Sequence, residues 1–404
     1  MKIHKKHIAY LIFIVFLLYG LNHHVFERKF FFNELLSLIG LTIFFFKAFR
    51  LKRIVLPKSL IYRLVLLLLV FGFAHLGYSL FIKTSLYYFF RNAVIVYSVF
   101  SFFIGFYLFK YLPGFLKLIR IPLALTLLGA IGSGAKLILD RFSASAFIPL
   151  IFRKANWLTI VFIAILNVIY AITFDSLTVT LIALIFVGIV TIRKYLHFKF
   201  VVIVALIGAI SLFAYIAPSL SLYKTGPYRL FGNVHVVYQD NKLLQIDDNS
   251  SWRTILWYRV IVEKFPQNIV GIGIGTPLLS YKKNMDTSAS EHSDEYDAHV
   301  IGVHNTYITL FARLGVSYLI ITLLIYRSVF KFYYHHKNYL IKNKFIFYFW
   351  AFFAVSIIGL FNLMLESPIF ASLYWVWLGV VAKVIHNYRF GIRTFYGNSK
   401  RIRI

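Results

Sequence analysis

The sequence predicts an all-α polytopic membrane protein with roughly 11–12 transmembrane helices, each needing about 20 residues. Three observations carry that expectation. Hydrophobic residues make up 60% of the chain and charged residues only 14%, where soluble domains carry about 25% charge; the mean hydropathy is +0.77. Apolar runs of bilayer-spanning length recur along the chain. The basic residues gather in the short connections between those runs, the positive-inside pattern of cytoplasmic loops.

Apolar runs fall near 7–22, 30–49, 59–80, 92–112, 121–139, 156–173, 174–192, 198–217, 303–328, 343–362 and 368–386. Helices are expected because an isolated strand leaves its backbone unsatisfied in lipid. Lys2 to His7 followed by Ile8 to Tyr19 resembles a signal peptide. Leu21-Asn22-His23-His24 is a poor cleavage site, so an uncleaved first helix is expected. The segments Lys47 to Arg53, Lys110 to Arg120, Arg193-Lys194 with Lys199, Arg327 to Lys344 and Lys383 to Arg403 read as cytoplasmic. One region breaks the alternation. Asp140-Arg141 falls outside, Arg153-Lys154 inside, and Ala144 to Phe152 is too short for an upright span. Either that stretch is a half-helix, or Gly129 to Lys136 is re-entrant.

The formal net charge is +29, but it is unevenly placed. Residues 218–303 hold Asp240, Asp247, Asp248, Glu263, Asp286, Glu291, Asp294, Glu295 and Asp297, and are close to neutral overall. The excess lies in the connections, which points to a membrane and excludes a nucleic-acid partner. Three regions follow: N-terminal transmembrane helices (1–217), a large water-facing loop with an interfacial helix (218–303), and three C-terminal transmembrane helices with a basic cytoplasmic tail (304–404). The chain has no cysteine, so disulfide and thiolate chemistry are absent.

Within the loop, Ser250 to Phe265 reads as an amphipathic helix capped by Ser250 and ended by Pro266, with Trp252, Ile255, Tyr258 and Val262 at helical spacing. Arg253 stands near its N-terminus, where a guanidinium and free backbone amides can hold a diphosphate. Alternatively, Arg253 and Arg259 pair with lipid phosphates or the nearby aspartates. Gly271-Ile272-Gly273-Ile274-Gly275 either brings backbone close to a ligand or forms a tight turn. Glu291 to Asp297, with His292, can attract a divalent ion, but reads better as a solvated acidic loop. His304, at the mouth of the next span, suits a general base or an interfacial anchor, and Asn305 a helix cap. Asp175, Asn362 and Glu366 sit near span ends, where a cavity wall and an interhelical hydrogen bond are both open readings.

In its ordered motifs the chain resembles the O-antigen ligase/polymerase superfamily of bacterial envelope glycosyltransferases. The resemblance rests on Arg253 in a loop helix, Gly271 to Gly275, His304-Asn305-Thr306-Tyr307 followed by Leu310 and Arg313-Leu314-Gly315, and Asn362 to Pro368 with Trp375 and Gly379. It covers roughly the final half of the chain, with the layout of spans before it. It implies a GT-C like fold, a large periplasmic loop and a multi-pass inner-membrane protein with a cytoplasmic C-terminus. It further implies a metal-independent, cofactor-free transfer from an undecaprenyl-diphosphate-linked oligosaccharide. Arg253 and His304 take the catalytic roles; Arg259, Gly271, Gly273, Gly275, Asn305, Arg141 and Glu366 are expected to bind substrate. A chain-length regulator or flippase and the membrane lipid are the implied partners. The chain departs from the family at Phe174-Asp175-Ser176-Leu177-Thr178, where members often carry Ser-Arg; Arg141, Arg229 and Arg259 are the candidates for the missing cation. The expected activity is polymerisation of O-antigen or related repeats. The alternatives are ligation to lipid A–core and transport of lipid-linked sugars.

Overall fold

The computed structural model describes residues 5–21, 32–50, 53–54, 56–82, 86–133, 146–152, 154, 156–173, 207–208, 211, 213, 229–230, 234–235, 237–239, 242–245, 248–263, 269–278 and 302–391. The helices are α1 (Lys5–Leu21), α2 (Phe32–Ala48), α3 (Leu60–Phe81), α4 (Leu86–Asn92), α5 (Val94–Tyr97), α6 (Ser101–Leu108), α7 (Leu112–Ser133), α8 (Trp157–Thr173), α9 (Asp248–Glu263), α10 (Thr306–His335), α11 (Lys337–Lys342), α12 (Ile346–Ile358) and α13 (Pro368–Arg389). Among the described residues, three apolar helical stretches are long enough to cross a membrane: Leu60–Phe81, Tyr88–Gly129 and Thr306–His335. The protein is thus consistent with an all-α membrane protein. Among the described residues, three two-stranded ribbons accompany the helices, one of them Val237–Gln239 paired antiparallel with Lys242–Gln245. These short strands lie outside the all-helical expectation, and two of the ribbons fall in the polar loop, where water can satisfy an open strand edge. The expected spans 174–192 and 198–217 lie largely outside the described residues, as do Asp175, Arg141, Pro266 and the Glu291–Asp297 cluster.

Aromatic contacts give the helix directions. Tyr326 packs on Phe352 with ring centroids 5.7 Å apart, and Phe332, further along α10, packs on Phe349 at 6.1 Å, so α10 and α12 are antiparallel. Phe352 meets Tyr374 at 5.4 Å and Tyr348 meets Trp377 at 6.4 Å, so α12 and α13 are antiparallel too. Ser101 Oγ lies 3.4 Å from Ser372 Oγ and Gly105 lies against Val376, which makes α6 and α13 parallel. Gly105 and Gly379 are the points of closest approach, each against backbone of the other helix. Lipid offers apolar side chains as good a solvent as their neighbours do, so contact of this kind holds membrane helices together. Trp375, Trp377, Tyr374, Phe102 and Phe103 fill the space around it and are fully buried.

Part of the region of broken alternation, residues 134–145, lies outside the described residues. α7 continues through Gly129 to Ser133. Ala146 to Leu150 is buried, with a 3₁₀ turn at Ile148–Ile151 that packs against α7 and α12. Arg120 Nε donates to the Ile151 carbonyl.

Helix α10 is two helices. Gly315 has φ 77° and ψ −179°, which no helix contains. Tyr307 and Tyr326, 19 residues apart, hydrogen-bond through their hydroxyls at 2.7 Å. On a straight helix their Cα atoms would be about 28 Å apart. The chain therefore turns back sharply at Gly315. Residues 306–314 form a half-helix lying beside residues 316–335, which by themselves have the ~20 residues a bilayer requires. The expected span 303–328 is in this way shifted towards the C-terminus and preceded by a hairpin arm.

Candidate functional site

The half-helix 306–314 is the centre of the site, and each end is fixed by a different segment. At its start, Asn305 Oδ1 accepts from the amides of Tyr307 (3.0 Å) and Ile308 (3.1 Å), the cap its residue type favours. Thr306 N donates to the Gly359 carbonyl at 2.9 Å. Thr306 Oγ1 lies 2.8 Å from Glu366 Oε2, to which it donates, and 3.2 Å from the Asn362 carbonyl. The same oxygen accepts from the amides of Met364 (2.7 Å) and Leu365 (3.2 Å). The connection between α12 and α13, residues 359–367, is thereby wrapped around the start of the half-helix.

At the far end, the glycine segment binds the carbonyls that stand just before the reversal: Ile272 N donates to Ala312 O at 2.9 Å and Gly273 N to Arg313 O at 3.1 Å. Arg313, fully buried, returns the contact by donating from Nη1 to the carbonyls of Thr276 (2.9 Å) and Gly273 (3.3 Å). Ser79 Oγ accepts from Ile274 N at 2.6 Å, tying the same segment to α3. Gly271, Gly273 and Gly275 all have positive φ. A Cβ on Gly271 would strike the Arg313 carbonyl, and one on Gly275 would sit 2.6 Å from Phe89 N. The faces that a side chain would occupy are filled by protein, so the three glycines form a packing joint.

Helix α9 covers the half-helix from the loop side. It begins at Asp248, so Ser250 lies inside it and is not its cap. Leu256 and Val260 are buried in a cluster with Leu278, Val303 and Ala312. Val262, expected on the apolar face, is 51% exposed. Ile255, expected on the same face, is buried, and Leu256 and Val260 complete the face that docks on the half-helix. Trp257 Nε1 donates to the Val303 carbonyl. Arg253, half-buried, donates from Nη1 to the Phe361 carbonyl at 2.9 Å.

The structure therefore brings Arg253 and Thr306 onto residues 359–366, where Glu366 meets the Thr306 hydroxyl, with His304 and the capping Asn305 immediately before Thr306. His304 has φ 51°, a left-handed conformation that costs a non-glycine residue free energy. Arg259 lies half-buried about 1.7 turns further along α9. Burial pushes the Glu366 carboxyl above its ordinary value of 4.5; hydrogen bonds from Thr309, Thr306 and its own backbone, and the charge of Arg313, draw it partly back. Thr306 and Arg313 stand in the motifs that carry the resemblance, but the sequence alone assigns neither of them a role. Arg313 carried a signal, since an ionisable residue between Ala312 and Leu314 in an apolar run is a functional candidate. Among the described residues no group of three or more His, Cys, Asp or Glu could hold a metal ion. No family model matches the sequence, and no curated protein matches it at the level that establishes a relationship.

Proposed function

We propose that this protein is a multi-pass inner-membrane glycosyltransferase that polymerises lipid-linked oligosaccharide repeats on the periplasmic face. One observation carries the reading: Arg253 from the loop helix and the His304-Asn305-Thr306 segment converge on residues 359–366. In sequence these three stretches are far apart, and catalytic groups must meet at one reacting centre. The acceptor sugar hydroxyl attacks the anomeric carbon of the glycan. The carbon–oxygen bond to the diphosphate breaks, and the hydroxyl proton passes to His304. The diphosphate leaves with its charge, which Arg253 stabilises. The donor is already activated, so the reading needs no cofactor. Arg259 and Arg141 remain candidates for a second diphosphate contact. The packed glycine segment acts in this reading by positioning the half-helix.

A second reading draws on the break at Gly315: discontinuous membrane helices are a mark of transporters, which here would move lipid-linked sugars. One experiment separates the readings. Cells lacking the protein are analysed for surface glycan and for lipid-linked intermediates, then complemented with wild type, R253A or H304A. Surface core bearing a single repeat means polymerase. Bare core with long lipid-linked glycan means ligase. Lipid-linked repeats retained on the cytoplasmic leaflet mean transporter. R253A is expected to lower transfer by about 10²–10³-fold and H304A by about 10²–10⁴-fold, with both proteins present in the membrane. Glycan of normal length in both variants would overturn the assignment.

A further inference from the structure

His304 stands in a backbone conformation that side chains rarely adopt, and such strain persists only where the surroundings over-determine it. Contacts on both sides of it hold the segment. Thr306, two positions on, is 1% exposed, and its amide and hydroxyl together engage Gly359, Asn362, Met364, Leu365 and Glu366. The hydroxyl has one proton. The shorter contact, 2.8 Å to Glu366 Oε2, takes it, and the two amides occupy its lone pairs. Gly302, on the other side of His304, is packed so that a Cβ there would strike Leu363 and touch Glu366 Oε1 at 3.6 Å. The segment carrying His304 is thus held at both flanks by residues 363–366.

We propose that Glu366 and Thr306 are positioning residues: their hydrogen bond latches the start of the half-helix and so fixes the imidazole of His304 where it takes the acceptor proton. The role of the imidazole rests on the glycosyltransferase reading above; the latch itself does not. Glu366 acts through Thr306 as a hydrogen-bond acceptor, and its charge is not required. Arg253 and the half-helix would be present and folded without the latch, but the base would be displaced.

The test uses the full-length protein in lipid nanodiscs and two readouts. The first is transfer from the lipid-linked donor. T306V and E366A should lower kcat by about 10²-fold, the effect of a misplacement near 1 Å, while leaving the donor KM within about 2-fold. T306S and E366Q keep the hydroxyl and the accepting oxygen, and should retain turnover near wild type. The second readout is the rate at which a histidine-acylating reagent modifies His304, followed by mass spectrometry of its peptide. That rate should change several-fold in T306V and E366A and stay at the wild-type value in T306S and E366Q. If E366Q is as inactive as E366A, or the His304 acylation rate is unchanged in T306V, the latch is overturned. If wild type transfers no glycan, the glycosyltransferase reading fails while the acylation series still decides the latch.

Discussion

At the scale of single residues, the site holds a carboxyl buried beside a hydroxyl and a distant guanidinium, and its ionisation is coupled to folding. Glu366 is raised above 4.5 in the folded protein. Below that pH it is neutral folded or unfolded, and whatever the raised value contributes to stability is fully present. As pH rises through the raised folded value, ionisation favours the unfolded state and that contribution is lost. E366Q has no such dependence. The difference in Tm between E366Q and wild type, measured in detergent across pH, should therefore grow in favour of E366Q as pH rises above 4.5 and then level off. A difference that is flat with pH would mean the carboxyl titrates at its ordinary value. Of the residues involved, His304, Asn305, Arg253 and Glu366 were legible in the sequence because each is a polar intruder at the edge of an apolar run. Thr306 was not. A threonine beside a capped helix start is unremarkable until the partners that surround it come from a segment 56 to 60 residues away.

At the scale of elements, the half-helix is the least legible feature. Residues 306–335 read as one apolar helix because a lone glycine in such a run is tolerated. What marks Gly315 is its φ of 77° with ψ near 180°, a region essentially closed to other residues. The reversal also depends on a segment 40 residues upstream that accepts Arg313 and fills its carbonyl. G315A should therefore destabilise the protein by more than the about 1–3 kcal/mol of backbone strain alone, since a Cβ there would also meet the Val270 carbonyl at 2.5 Å. Thermal unfolding of G315A beside G129A tests this: a Cβ at Gly129 meets nothing within 4 Å, so G129A should unfold near wild type. Equal Tm values for the two variants would argue against the reversal.

At the scale of the whole molecule, composition and charge distribution made the membrane class legible before any element was placed. The parallel pairing of α6 with α13 and the antiparallel pairing of α12 with both its neighbours are compatible with an alternating path through a bilayer. Side-specific labelling checks the proposed orientation directly, because the chain has no cysteine of its own. S288C, in the polar loop, should react with a membrane-impermeant thiol reagent in intact spheroplasts; K331C should react only after permeabilisation. The reverse pattern would invert the orientation. The latch has a consequence for the order in which the protein is made. Thr306 leaves the ribosome 53 residues before Gly359 and 60 before Glu366. Synthesis continues while the half-helix has none of these partners, and α12 must be in place before Gly359 and Glu366 reach it. The start of the half-helix can reach its final form only after that, so the site is completed among the last events of biogenesis, and a chain cut short before residue 366 would carry His304 without the contacts that hold its segment.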